Sequence, residues 1–374
     1  MWVKSCAAVV AALIMVAGPT PARASADASP RPGLRAELGK LVEVDRIPGA
    51  AAVVSQDGRP VRRAAAGLAD IPAGRRMRAD DRFRIASVTK TFVATVVLEL
   101  VQEHRLALDQ PIAGLLREPV PNADKITVRE LLNHSSGLFD YSYATGFDPG
   151  ADYTPAQLIA MAVQHPPYFA PGTGFFYSST NYIVLGEVVR QLTGHSIAYE
   201  VHSRLIDRLG LRGTSFPSTA TPVPRQARGY AFASPLPSDR GPAVDVTTRT
   251  SASAAGAAAA MVGTAGDADR FLAALLGGRL LSRSLLAQMK EPTPGSVAFF
   301  TAAGLPGMSY GLGLMIGSTS CGTVYGSMGD IDGYATSVLQ LHRRQVALFL
   351  NTNSLQPTLY QRTIAIAEAQ LCPR

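Results

Sequence analysis

Apolar positions recur at helical spacing from Leu34 to Val44, and two largely apolar runs then follow, Gly49 to Ser55 and Val61 to Leu68. Between the runs stands Gln56-Asp57-Gly58-Arg59-Pro60, and Asp-Gly in that place predicts a β-hairpin. The far end of the chain repeats the arrangement. Gly333 to Leu341 and Gln345 to Asn351 are apolar runs joined by His342-Arg343-Arg344, and helical spacing returns from Thr358 to Gln370. Strands from both termini are expected to share one antiparallel sheet, covered by the first and last helices. From about Thr91 to Leu281 the period is mostly helical, with loops at Pro119-Val-Pro121, Asp148-Pro-Gly150 and Pro166-Pro167. The pattern predicts an α/β fold in which a mostly helical domain, 91–281, is inserted into a sheet domain made of 25–90 and 282–374.

The first residues carry another pattern. Met1-Trp2-Val3-Lys4 precedes an apolar run from Cys6 to Gly18, then Pro19-Thr20-Pro21 and the small-residue stretch Ala22-Arg23-Ala24-Ser25-Ala26. The run is short for a bilayer span, and Ala22-x-Ala24 and Ala24-x-Ala26 both fit a cleavage site. Residues 1–24 therefore read as a signal peptide, and the mature protein is expected to start near Ser25 or Asp27. Glu99 interrupts the next apolar stretch, Phe92 to Val101, so an exported protein without a stable membrane anchor is expected.

Composition narrows the class. A chain of 374 residues, 47% hydrophobic and 17% charged, is long enough for a sizeable core and excludes a disordered protein. Loss of the leader removes Lys4 and Arg23 and lowers the formal charge from +7 to +5. The remaining excess lies in single arginines and pairs such as Arg62-Arg63 and Arg343-Arg344, without interleaved aromatics, which argues against a nucleic-acid partner. The leader also removes Cys6. Cys321 and Cys372 remain, an even pair that in an oxidising compartment predicts one disulfide, the alternative being two buried thiols.

Three segments could carry chemistry. Arg84-Ile-Ala-Ser87-Val-Thr-Lys90 opens a very apolar helix and puts a serine and a lysine on one helical face. A helix N-terminus favours charge developing on the hydroxyl, and an amine in apolar surroundings gives up its proton more readily. The plain alternative is an N-cap serine with a snorkelling lysine. Against it, the chain has only five lysines, and the residues around Lys90 are too apolar for a solvated face. The second segment runs from Leu131-Leu-Asn-His134-Ser-Ser-Gly137 to Phe176-Tyr177-Ser178-Ser179-Thr-Asn181. Tyr177 could relay a proton beside a cation, or be an ordinary amphipathic aromatic at a helix start; His134 is read as structural. In the third, Tyr325-Gly326-Ser327-Met328-Gly329-Asp330, glycines alternate with β-prone residues, as where a ligand must approach a strand edge. Such an edge could offer an amide opposite the Ser87 N–H, completing an oxyanion hole. No metal or cofactor is implied, since none of the six histidines falls in a zinc spacing.

In order, spacing and flanks these segments resemble the serine β-lactamase superfamily, in particular class C enzymes and secreted actinobacterial D-alanyl-D-alanine carboxypeptidases. The resemblance covers essentially the whole mature chain, including Thr264-Ala-Gly-Asp-Ala-Asp269-Arg-Phe, Tyr310-Gly-Leu-Gly313 and the placement of Cys321 and Cys372. It implies Ser87 as the acylated nucleophile, Lys90 as its proton partner, Tyr177 as co-base, and the amides of Ser87 and Asp330 as the oxyanion hole. Three departures stand out. The second motif, usually Tyr-x-Asn, is Tyr177-Ser178-Ser179. The third, usually His-x-Gly or Lys-x-Gly, is Ser327-Met328-Gly329. The position of the arginine that carboxypeptidase members use for the substrate's terminal carboxylate falls at Met315. The expectation is an exported monomeric serine hydrolase acting on small-molecule or peptide acyl substrates through an acyl-serine. Carboxypeptidase or β-lactamase activity follows from the resemblance, while the departures lean toward an esterase or an acyltransferase using an amine acceptor. Arg228 and Arg249 are candidates to restore a missing cation. A non-catalytic penicillin-binding-like receptor is the competing reading from another class, and the intact Ser87, Lys90 and Tyr177 set speaks against it.

Overall fold

The computed structural model describes residues 33–372 apart from 235, 237, 240 and 354–356. The segment read as a signal peptide lies outside the described residues. In chain order the first elements are helix α1 (Leu34–Glu43), strands β1 (Gly49–Gln56), β2 (Arg59–Asp70), β3 (Arg75–Arg76) and β4 (Arg82–Arg84), and helix α2 (Val88–Gln102). Next come α3 (Val128–Leu132), α4 (Pro155–Val163), α5 (Thr180–Thr193), α6 (Ile197–Val201), β5 (Tyr230–Ala231), β6 (Val244–Asp245), α7 (Ala252–Ala259), β7 (Val262–Thr264) and α8 (Ala265–Leu276). The last are α9 (Arg283–Met289), α10 (Ser296–Ala302), β8 (Met308–Tyr310), β9 (Met315–Thr319), β10 (Gly322–Ile331), β11 (Tyr334–Leu341), β12 (Arg344–Leu350) and α11 (Pro357–Leu371).

Eight strands form one antiparallel sheet in the order β3-β2-β1-β12-β11-β10-β9-β8, so the two ends of the chain meet at its centre. There β1 pairs with β12, Ala50 opposite Leu350 and Gln56 opposite Arg344. The first hairpin turns at Asp57 and Gly58, whose φ angles of 56° and 70° are the left-handed pair that an Asp-Gly turn supplies. Both faces of β1 are covered, which is why it reads as an unbroken apolar run. Ala50, Ala52 and Val54 pack with Leu38 and Leu41 of α1 and Ile366 of α11; Ala51 and Val53 join the main core with Phe83 and Leu272.

The helical stretch 91–281 of the sequence reading includes one helix, α8, that lies on the sheet, and it also holds short strands. Ser55 Oγ on β1 donates to Asp269 Oδ2 on α8 at 2.5 Å, and Gln345 Nε2 on β12 donates to the Asp269 carbonyl at 3.3 Å. Helix α2 is apolar all round and is buried from Val88 to Leu100, as a helix without a polar face must be. Its one acid, Glu99, is met by Arg208 at 3.0 Å and Arg204 at 3.6 Å. No described helix is long and apolar enough to cross a membrane.

Cys321, in the turn between β9 and β10, is bonded to Cys372 at the end of α11, 51 residues on, with Cα atoms 5.7 Å apart. Closing a loop of that length is worth about 4 kcal/mol in the chain-entropy account. Peptide mapping under non-reducing conditions should return the Cys321–Cys372 pair, whereas two alkylatable thiols in the native protein would contradict the bridge.

Asp269 generates a second prediction. Its side chain is buried, with Oδ1 unpartnered among the described residues, and burial pushes the carboxyl up to about 6 against the holding effect of Ser55. A carboxyl raised in the folded state stabilises most below its unfolded value of 3.8 and loses that contribution as pH rises through about 6. Asp269→Asn keeps an acceptor for Ser55 and removes the charge. It should raise stability by about 2 kcal/mol at pH 8 and change it little near pH 4, as read by urea unfolding. Equal destabilisation at both pH values would show that the carboxylate is not the costly group.

Candidate active site

The approach to Ser87 is fixed before the helix begins. Strand β4 pairs with β7, Phe83 opposite Gly263, and Ile85 N–H donates to the Met261 carbonyl at 2.9 Å. Ala86 then takes a left-handed φ of 49°, a strained conformation for a residue with a Cβ. The chain turns sharply and Ser87 emerges half-buried at the start of α2 while its neighbours stay inside. The first-turn hydrogen bonds run from the N–H groups of Val88, Thr89 and Lys90 to the carbonyls of Ile85, Ala86 and Ser87. The Ser87 N–H is outside that set, at the positive end of a 15-residue helix.

Ser87 occupies the N-cap position, but its side chain makes no cap hydrogen bond. Its Oγ instead accepts from Lys90 Nζ at 3.1 Å. Lys90 does not snorkel: it is 1% exposed, and its Nζ also donates to the Ala258 carbonyl at 3.2 Å. Two phenol rings complete its surroundings, with Nζ 4.8 Å from the centroid of Tyr177 and 5.7 Å from that of Tyr182. The Ala258 carbonyl was invisible in the sequence, where it is one alanine in a run of small residues.

Tyr177 is brought to Lys90 by the turn into α5, whose amides are pinned from the 134–140 segment. Ser178 N–H donates to His134 Nδ1 at 3.2 Å, and Ser179 N–H donates to Asp140 Oδ2 at 2.8 Å. Sequence reasoning missed Asp140, which lies 39 residues from its partner. Behind Tyr177 stands Tyr310, with ring centroids 5.5 Å apart; burial and the neighbouring phenols Tyr182 and Tyr177 hold the Tyr310 hydroxyl far above its usual range. Burial does the same to Tyr182.

The third segment forms the other wall. Pairing of β10 with β9 ends at Gly326 opposite Met315, and from Ser327 to Ile331 β10 pairs with β11, so its other edge faces the Ser87 turn. A Cβ at Gly329 would lie 2.4 Å from the Ile85 carbonyl oxygen, so only glycine lets the strand approach this closely. Asp330 follows, exposed, with Asn353 Nδ2 donating to its Oδ1 at 3.1 Å. Ser327 is buried, and Met328 packs in an apolar cluster with Phe175, Tyr177, Phe300 and Met315. The structure thus gathers Ser87, Lys90, Tyr177 and the 327–330 edge into one site. Ser179 lies two residues past Tyr177 at the N-cap of α5, without a cap bond from its side chain.

Of the arginines considered as substitutes for the lost cation, Arg228 is engaged elsewhere, with Asp70 at 3.0 Å and Asp245 at 2.8 Å. Arg249 is exposed beside Thr250, and the Thr250 hydroxyl donates to Asp332 at 3.2 Å.

Known proteins share this fold over most of the chain. The profile of the Beta-lactamase family matches residues 34–371. Esterase EstB of Burkholderia gladioli is 38% identical over 201 residues, 50% of this chain and 51% of the esterase. A D-aminopeptidase of Brucella anthropi is 33% identical over 178 residues, 46% of this chain and 34% of that one. The matched stretches therefore span about half and a third of those relatives. Among solved structures, a D-stereospecific amidohydrolase from Streptomyces sp. superposes with a TM-score of 0.77 at 33% identity, covering 91% of this chain and 98% of that one. The D-amino acid amidase of Ochrobactrum anthropi SV3, complexed with D-phenylalanine, gives 0.79 at 28% identity over 90% and 97%.

Because Lys90 is fully buried, its removal separates chemistry from stability. Lys90→Met keeps the length of the side chain and deletes the amine, so it should leave the melting temperature unchanged or higher while lowering kcat on an activated ester at least about 100-fold. A variant that stays within ten-fold of the wild type would remove Lys90 from the reaction.

Proposed function

Since the chain belongs to the Beta-lactamase family, within the serine hydrolase superfamily, we propose that it cleaves neutral esters or amides through an acyl-serine at Ser87. The observation that carries this reading is the amine of Lys90, 1% exposed and 3.1 Å from the Ser87 hydroxyl at the head of a buried helix. Ser87 Oγ attacks the substrate carbonyl as Lys90 Nζ takes its proton, and the tetrahedral oxyanion forms between the N–H groups of Ser87 and Asp330. The Tyr177 hydroxyl passes a proton to the leaving alkoxide or amine. In the second half water attacks the acyl-serine along the reverse path and Ser87 Oγ regains its proton.

The surroundings favour a substrate without a free terminal carboxylate. Such a carboxylate needs a cation or several aimed donors to offset its desolvation. The wall beside Tyr177 offers Phe175, Phe300, Met315 and Met328, all in one apolar cluster, with Ser179 and Ser327 as hydroxyls. The relatives, an esterase, a D-aminopeptidase and a D-amino acid amidase, support a reading with neutral ester or amide bonds and add a D-configured acyl side chain. Export belongs to the same proposal: it rests on the pattern of residues 1–24 and is supported by the Cys321–Cys372 disulfide.

Two measurements test the proposal. Ser87→Ala should abolish turnover of p-nitrophenyl acetate, and activity equal to the wild type would end the acyl-serine reading. On substrates, kcat/KM for a D-Ala-D-Ala peptide should fall below that for its C-terminal amide or methyl ester. A clear preference for the free acid would overturn the neutral-substrate reading and favour carboxypeptidase activity.

A further inference from the structure

His134 follows α3 in a left-handed conformation, φ 64°, with its side chain 0% exposed. Its Nδ1 has two neighbours. One is the main-chain N–H of Ser178 at 3.2 Å, which can only donate. The other is Asn181 Nδ2 at 3.0 Å, whose amide has its Oδ1 2.6 Å from Ser136 Oγ; because the Ser178 N–H can only donate, Nδ1 is an acceptor and the amide presents its NH2 to it. Nδ1 must therefore carry the lone pair, and the proton of the neutral ring is on Nε2. That Nε2 is buried with no hydrogen-bond partner among the described residues. Around the imidazole stand the rings of Tyr177 at 4.3 Å, Tyr310 at 5.0 Å, Tyr182 at 5.3 Å and Phe175 at 6.1 Å, so aromatic rings surround it.

We propose that His134 is a positioning residue for Tyr177: a neutral imidazole whose Nδ1 lone pair ties down the turn at Ser178 and Asn181, and whose ring supports the Tyr177 phenol beside Lys90. Protonation would undo both parts. A proton on Nδ1 would face two donors, and the charge would sit buried beside Lys90. Burial, and then Lys90, hold the ring well below the ordinary histidine value. The ionisable groups facing the imidazole are Lys90 from α2, Tyr177 and Tyr182 from the α5 segment, and Tyr310 from β8, and none of these is a carboxylate.

The inference rests on the acyl-serine reading, and the test keeps the two apart. Asn is the informative replacement, since its Oδ1 falls near the place of Nδ1 and asparagine tolerates a left-handed backbone. Leucine keeps the bulk and lacks the acceptor. With p-nitrophenyl acetate, and with folding checked by circular dichroism and thermal unfolding, His134→Leu should lose about 100-fold in kcat with KM within about three-fold. His134→Asn should stay within about ten-fold of the wild-type kcat. Equal losses in the two folded variants, or a His134→Leu enzyme with wild-type kcat, would overturn the positioning role. If the leucine variant does not fold, nitrogen NMR of the histidine-labelled wild type decides. A bare Nδ1 and a protonated Nε2 from about pH 5 to 8 support the proposal, and a proton on Nδ1 in that range refutes it. Turnover that survives Ser87→Ala would instead break the reading beneath it.

Discussion

The Lys90 amine is 1% exposed, in a helix buried from Val88 to Leu100, so every hydrogen bond it makes has to be supplied from inside the fold. Two acceptors reach it, the Ser87 hydroxyl and the Ala258 carbonyl, and two phenol faces close the remaining space. No ion pair among the described residues involves it, which leaves the amine tied to the Ser87 hydroxyl and to neutral groups. Much of the surrounding architecture follows from bringing those partners close. The alanine-rich α7 presents little side-chain bulk beside α2, and Thr89 Oγ1 takes the Met261 N–H at 3.2 Å, fixing the chain just beyond Ala258. On the other flank Gly313, φ 78°, crosses α2 where a Cβ would stand 2.2 Å from that of Ala94, and its carbonyl accepts from Thr91 Oγ1 at 2.9 Å.

The same economy of charge shapes the cleft. Arginines are plentiful on this protein, yet several are committed to structural pairs: Arg228 to Asp70 and Asp245, Arg204 and Arg208 to Glu99. The wall beside Tyr177 is aromatic and thioether, and the polar side chains near the motif are hydroxyls. In the proposed reaction such a site would orient substrate by shape and by main-chain amides at the oxyanion, with little to offer a second negative charge.

Legibility in the sequence followed the range of the interaction that decides each feature. The terminal hairpins could be read because their signals are local: an unbroken apolar run on either side of Asp57-Gly58, and another pair around His342-Arg343. The disulfide needed only the count of cysteines and a compartment. Ser87 and Lys90 were found because one helical turn joins them. What escaped depends on partners far along the chain or on backbone atoms. The Ala258 carbonyl is 168 residues from Lys90 and has no side-chain signature. His134 reads as structural in the sequence, but its partners Ser178 and Asn181 lie 44 and 47 residues away and show only in the fold. Helix α8 carried a clear amphipathic pattern, but periodicity does not say which layer a helix covers. Contacts with the strands place it on the sheet, Asp269 meeting Ser55 of β1 and Gln345 of β12.

The central claim is that burial beside Lys90 makes Ser87 the residue that carries the acyl group. Intact-mass spectrometry and peptide mapping after incubation with a fluorophosphonate test it most directly. The account predicts a single adduct on the peptide containing Ser87, absent from Ser87→Ala and formed much more slowly by Lys90→Met. An adduct on another residue, or equal labelling of the wild type and Ser87→Ala, would contradict it.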